Sequence, residues 1–141
     1  MTPYDRLAKW YRWVTWFGIF LNSLFIFPLL FAPRFALDIL GFNVDPLIFA
    51  RIPGMLLLWI SVFYIPAALD LKKYRVYAWL AMFPSRIGGA TFFFVAVFVF
   101  GKPLGYLPIA IVDATILLMQ LFIMLKIRAV ESAPASFQKG A

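Results

Sequence analysis

Two charged residues lie where charge is costly. Arg86 is about ten residues into an apolar stretch at 76–100, which puts it about 15 Å deep at 1.5 Å per helical residue. Asp113 is some six residues into a second stretch at 107–127, about 9 Å from its start. Ionisable side chains inside a membrane span mark a functional site by default, because lipid offers them no solvation. A guanidinium and a carboxylate at such depth can neutralise each other, grip the polar end of a lipophilic molecule, or pass a proton. Arg51, near the start of a stretch at 47–69, lies at a level close to Asp113. Asp113 can therefore pair with Arg51, with Arg86, or with both.

Asn22 and Gln120 extend this polar layer. They lie about 13 Å and 12 Å from one membrane face, near the depth of Arg86. Gln120 follows Asp113 by seven residues, so the two share a helix face. The candidate intramembrane site is thus Arg86, Asp113, Arg51, Gln120 and Asn22. Two readings follow. In one, a buried ion pair and interhelical hydrogen bonds fix helix register and nothing binds. In the other, these side chains line a polar pocket.

Other chemistry is hard to assemble. The chain has no histidine and no cysteine, so imidazole or thiolate ligation, disulfides and Cys nucleophiles are excluded. No phosphate-cradling glycine loop is present. Asp38 and Asp45 fall in a loop, so no second carboxylate shares the depth of Asp113. The expectation is a protein that is not an enzyme, with no metal and no cofactor.

The elements that position these residues follow from composition. Of 141 residues, 65% are hydrophobic and 13% charged, with mean hydropathy +0.92. Soluble domains are typically about 45–50% apolar and about 25% charged. This excludes a soluble enzyme, a disordered chain and a nucleic-acid module. Asking for about 20 consecutive apolar residues gives four spans, at 13–31, 47–69, 76–100 and 107–127. The first is too long for a cleavable signal peptide and lacks a small-residue cleavage site. The predicted fold is all-α: one polytopic membrane domain over 1–128, four transmembrane helices in an antiparallel bundle, followed by a small, polar cytoplasmic tail at 129–141.

Thirteen basic residues oppose six acidic ones, a net charge of +7. Arg6, Lys9, Arg12, Lys72, Lys73, Arg75, Lys126, Arg128 and Lys139 fall on one side of the predicted bundle, against Arg34, Arg51 and Lys102 on the other. By the positive-inside rule both termini are cytoplasmic, in a cell inner (plasma) membrane. Lys72, Lys73 and Arg75 then sit in a tight cytoplasmic hairpin, placed to touch anionic lipid head groups.

Local signals refine the helices. Thr2, Pro3 and Asp5 make a T-x-x-D start, followed by an interfacial turn in which Arg6, Lys9 and Arg12 alternate with Trp10, Trp13 and Trp16. Pro33 opens and Gly41 closes a short amphipathic helix at 33–41, with Phe35, Ile39, Leu40 and Phe42 on one side and an Arg34–Asp38 pair. Ser85 and Gly89 form a small-xxx-small pair beside Arg86, and Pro84 frees a carbonyl near it. Phe92, Phe93, Phe94, Phe98 and Phe100 present rings on all sides of the third span, towards lipid or other subunits.

A pattern runs from Pro28 through Leu40-Gly41, Arg51-Ile52-Pro53-Gly54, Ala67-Ala68-Leu69-Asp70 and Tyr74-Arg75 to Arg86-Ile87-Gly88-Gly89 and Asp113. It covers most of the chain and resembles the DoxX-like small four-helix bacterial membrane proteins. That resemblance implies a link with redox partners and terminal oxidases and carries no catalytic residue with it. The first expectation is therefore a non-catalytic accessory or assembly subunit of a larger, bioenergetic inner-membrane complex. Its partners would be membrane lipids and other membrane subunits. The second is a binder or carrier of a lipophilic small molecule, such as a quinone or lipid, in an intramembrane pocket. The third is an ion or proton pathway. No nucleic-acid partner is expected.

Overall fold

The computed structural model describes residues 2–132. These residues are helical throughout apart from turns, and four helices are long and apolar enough to cross a membrane. The chain is a multi-pass membrane protein built as a helix bundle.

The first helix, α1 (Pro3–Phe31), starts where the T-x-x-D signal places it. The Thr2 hydroxyl accepts from the Asp5 N–H at 3.1 Å, and the Asp5 carboxylate accepts from the Thr2 N–H at 2.9 Å. Two otherwise orphaned donors are thereby satisfied reciprocally. Helix α2 (Pro33–Leu40) follows after one residue and ends at Gly41, whose φ of +69° only glycine adopts without strain. The Phe42 N–H reaches back to the Leu37 carbonyl at 2.9 Å, which closes the turn. Helix α2 departs from expectation in its faces. Pro33, Ala36 and Leu37 are buried against the bundle, while Phe35 and Ile39 point away, 61% and 68% exposed. Among the described residues no ion pair joins Arg34 to Asp38; both are exposed.

Helix α3 (Ile48–Leu69) and a tight turn at 70–74 lead to the third span. That span is not one regular helix. It comprises α4 (Arg75–Leu80), a π-helical stretch Ala81–Ile87 containing Pro84, and α5 (Gly88–Phe98). Proline lacks an N–H and crowds the preceding turn, and a wider π turn absorbs the mismatch. A single 3-10 turn at Leu104–Tyr106 then enters α6 (Leu107–Ser132). The last helix therefore takes in 129–132 of the expected tail; the rest of that tail, with Lys139, lies outside the described residues.

Packing divides the bundle into two ends. Helix α1 packs on α3 and α6, and α6 also packs on α5 and the π-helical stretch. The hydrophobic core lies at one end, where Tyr11 and Val14 of α1, Ala67 of α3, Leu71, Ala78, Met82 and Met124 and Ile127 of α6 are buried together. This is the end at which the first turns of α1, the 70–74 turn and the last turns of α6 meet. Arg12 of α1 donates there to the Ala68 and Leu69 carbonyls at 2.9 and 3.0 Å. From the packed end to mid-span α3 packs on α4 and the π-helical stretch, whereas towards the far end α5 leans on α6. The space left between α3 and α5 is roofed by α2 and the residues after it.

That roof makes close backbone contact with the loop before α6. A β-carbon added at Gly105 would collide with the Leu40 carbonyl oxygen. Gly105→Ala should therefore lift α2 and cost about 1–3 kcal/mol, as overpacking a well-fitted site does. Gly88→Ala, where an added methyl meets nothing within 4 Å, should be neutral or slightly stabilising, as glycine is a weak helix former. Thermal unfolding in detergent separates the two; equal midpoints would rule out the Leu40–Gly105 contact.

Candidate functional site

Arg86 is the largest fully buried side chain of the described residues, 2% exposed. The π-helical stretch sets it against α6, where its Nη1 donates to Oδ1 of Asp113 at 2.5 Å. Of the partners open to Asp113, the structure selects Arg86. Arg51 is exposed at the start of α3 and takes no part.

Three neighbours fit themselves to the pair. The Tyr64 ring of α3 lies under the guanidinium, 5.2 Å from its carbon to the ring centroid. A cation over an aromatic face is favourable by about 0.5–2 kcal/mol, more when desolvated. Gly18 of α1 leaves room for Nη2, which would lie 2.6 Å from a β-carbon there. Gly89 of α5 does the same for Asp113, whose Oδ2 would lie 2.6 Å from an added β-carbon. Glycine at 18 and 89 is what lets both charges sit between helices. Nε and Nη2 of Arg86 make no hydrogen bond among the described residues.

Beside the pair is a cavity of about 350 Å³ between α1, α3, α5 and α6. Its polar end is Arg86 and Asp113, with Asn22, Tyr64 and Ser85 around them. Asn22 donates to the Ser61 hydroxyl at 2.9 Å, and the Tyr64 and Ser85 hydroxyls share a 2.5 Å hydrogen bond. Leu21, Phe25, Leu29, Ala50, Leu57 and Phe93 are among its apolar walls, and Leu37, Leu40 and Phe42 cover it. Phe42, Tyr106 and Phe93 stack across that cover with centroids 4.0 and 5.4 Å apart. Asp113 is the charged group the cavity reaches: its side chain is 20% exposed against 2% for Arg86.

The sequence-derived set is therefore divided. Arg86, Asp113 and Asn22 come together. Gln120 does not join them; it is buried further towards the packed end and donates to Thr15 at 3.1 Å. Seven residues keep a helix face but move about 10 Å along the axis, so a shared face did not mean a shared layer. Tyr64 and Gly18 were not foreseen, although helical spacing marks both: Tyr64 follows Ser61 by three residues, and Gly18 precedes Asn22 by four. Phe93 was read with the ring of lipid-facing phenylalanines, yet it lines the cavity.

At the packed end, Arg75 of the expected head-group set is engaged elsewhere. Both its terminal nitrogens donate to Glu131, at 2.9 and 2.5 Å. Lys72 and Lys73 stay exposed. Among the described residues, no three His, Cys, Asp or Glu side chains are grouped so as to hold a metal ion. No family model, curated protein or solved structure matches the chain.

A buried pair of this kind has a characteristic mutational signature. Asp113→Ala should cost about 3–5 kcal/mol, since it leaves Arg86 buried and unpaired. The double variant Arg86→Met with Asp113→Leu should recover most of that loss, because it removes the charge that was orphaned. Denaturation in mixed micelles measures both. A double variant no more stable than Asp113→Ala would mean that the unpaired charge is not the source of the cost.

Proposed function

We propose that the chain binds a lipophilic small molecule, of the size of a quinone ring or a single lipid chain, in the cavity beside Arg86 and Asp113. One observation carries this reading. Apolar walls surround a partly open space whose polar groups converge at one end, and the volume falls at the lower end of the range of ligand sites, about 300–1,000 Å³. An ion pair serving packing alone has no need of a chamber beside it. The pair is neutral as a unit, so an uncharged ligand enters without leaving a net buried charge.

The same reading takes the four spans as an antiparallel bundle in the inner membrane with both termini cytoplasmic. The excess of basic residues at the packed end supports it, Arg12, Lys72, Arg75 and Arg128 among them. Membership of a larger complex rests on exposed rings such as Phe27, Phe92 and Phe98. Lipid would cover these equally well, so the cavity is the stronger guide. A cation pathway is disfavoured because the Asp113 carboxylate that would attract a cation is already paired with Arg86.

Extraction of the detergent-purified protein into organic solvent, followed by mass spectrometry, tests the proposal. About one lipophilic molecule per chain is expected, as for a single site of this volume. Ala50→Phe puts a ring into the cavity wall and should abolish retention while the helical spectrum stays intact; Leu57→Trp serves if that variant does not fold. Equal retention in the wild type and a folded, filled variant would overturn the reading.

A further inference from the structure

The packed end carries a second site, independent of the cavity. A groove runs between the first turns of α1 and the end of α3, lined by Lys9, Arg12 and Lys72 and walled by Trp13 and Trp16. Its construction points to a phosphate. Arg12 is held in place by its two hydrogen bonds to the Ala68 and Leu69 carbonyls, and its Nη1 has no partner among the described residues. The carboxylates at the rim are committed locally: Asp5 to the Thr2 backbone and hydroxyl, and Asp70 to the Lys73 N–H at 3.0 Å. Those hydrogen bonds leave both carboxylates charged, so the groove sets three cations against two anions and keeps one net positive charge.

The walls identify the source of that phosphate. Trp13 is 64% exposed, and the exposed stripe continues along α1 through Phe17, Phe20, Leu24 and Phe27. Aromatic side chains of this kind, beginning with tryptophan at the head-group level, follow the acyl region of a bilayer. A soluble anion has no use for such a track. We infer that this groove holds the head group of an anionic phospholipid, its phosphate between Lys9, Arg12 and Lys72 and its acyl chains along the α1 stripe. This moves head-group recognition from the expected Lys72, Lys73 and Arg75 to a set drawn from α1 and the 70–74 turn, with Arg75 engaged by Glu131.

Native mass spectrometry of the intact protein in mild detergent tests the assignment, with dioleoyl phosphatidylglycerol or dioleoyl phosphatidylcholine added. The wild type should retain phosphatidylglycerol and not phosphatidylcholine. Lys9→Gln with Lys72→Gln should weaken retention roughly thirtyfold, since each interfacial cation is worth about fivefold near anionic lipid. Lys102→Gln, at the opposite end, should leave it unchanged. Arg12 is left intact because it also holds α1 to α3. Equal retention of the two lipids, or no effect of the paired substitution, overturns the site. Displacement of the lipid by millimolar inorganic phosphate alone overturns the lipid as its ligand in favour of a soluble anion.

Discussion

The buried contact between Arg86 and Asp113 is the constraint around which the far half of the bundle is arranged. A guanidinium without solvent must have its charge balanced within a few ångströms, and among the described residues Asp113 alone pairs with it. Meeting that demand sets the rotation of three helices at once. Helix α6 must turn Asp113 inward, α1 must present a glycine to the guanidinium, and α5 must present another to the carboxylate. Tyr64 then covers the face of the cation from α3. A slip of one residue in any of these helices would set a side chain against a charge.

The irregular third span is part of the same solution. With Pro84 inside it, the chain takes a wider turn just before Arg86, and the helix beyond leans on α6 rather than α3. The bundle closes below this point and opens above it. Below, small and branched side chains such as Ala67, Ala78 and Ile127 interdigitate. Above, the gap is large enough to be a chamber, and π turns inside α-helices are often found at functional sites for this kind of reason.

How much of this was legible in the sequence follows physical lines. The spans were, because a run of about 20 apolar residues has few alternatives in water or lipid. So were the Thr2–Asp5 cap and the stop at Gly41, which depend on neighbours in the chain alone. The partner of Asp113 was not, because depth counted at a constant rise assumes regular α-helices, and the π stretch breaks that assumption. Gln120 shares a face with Asp113 but not its layer, since face and height are separate coordinates on a helix. The inward turn of Phe93 left no trace, since a helix apolar on every side has no periodicity to read. Glu131 was read as tail, and its pairing with Arg75 depends on α6 continuing for another turn.

The two apolar sides of α2 have a thermodynamic corollary. In water, lifting this helix would wet Ala36 and Leu37, and the solvent would drive it back. In hydrocarbon as apolar as the bundle surface, the same undocking would transfer no oil to water. What retains α2 is shape: the Phe42–Tyr106 stack, the Leu40–Gly105 approach and the one-residue tether at Ala32. Such contacts decay over a fraction of an ångström, whereas the hydrophobic effect scales with area. On the proposed function, the chamber's roof is held by contacts that are local and short-ranged, unlike a lid held by the area-wide hydrophobic effect.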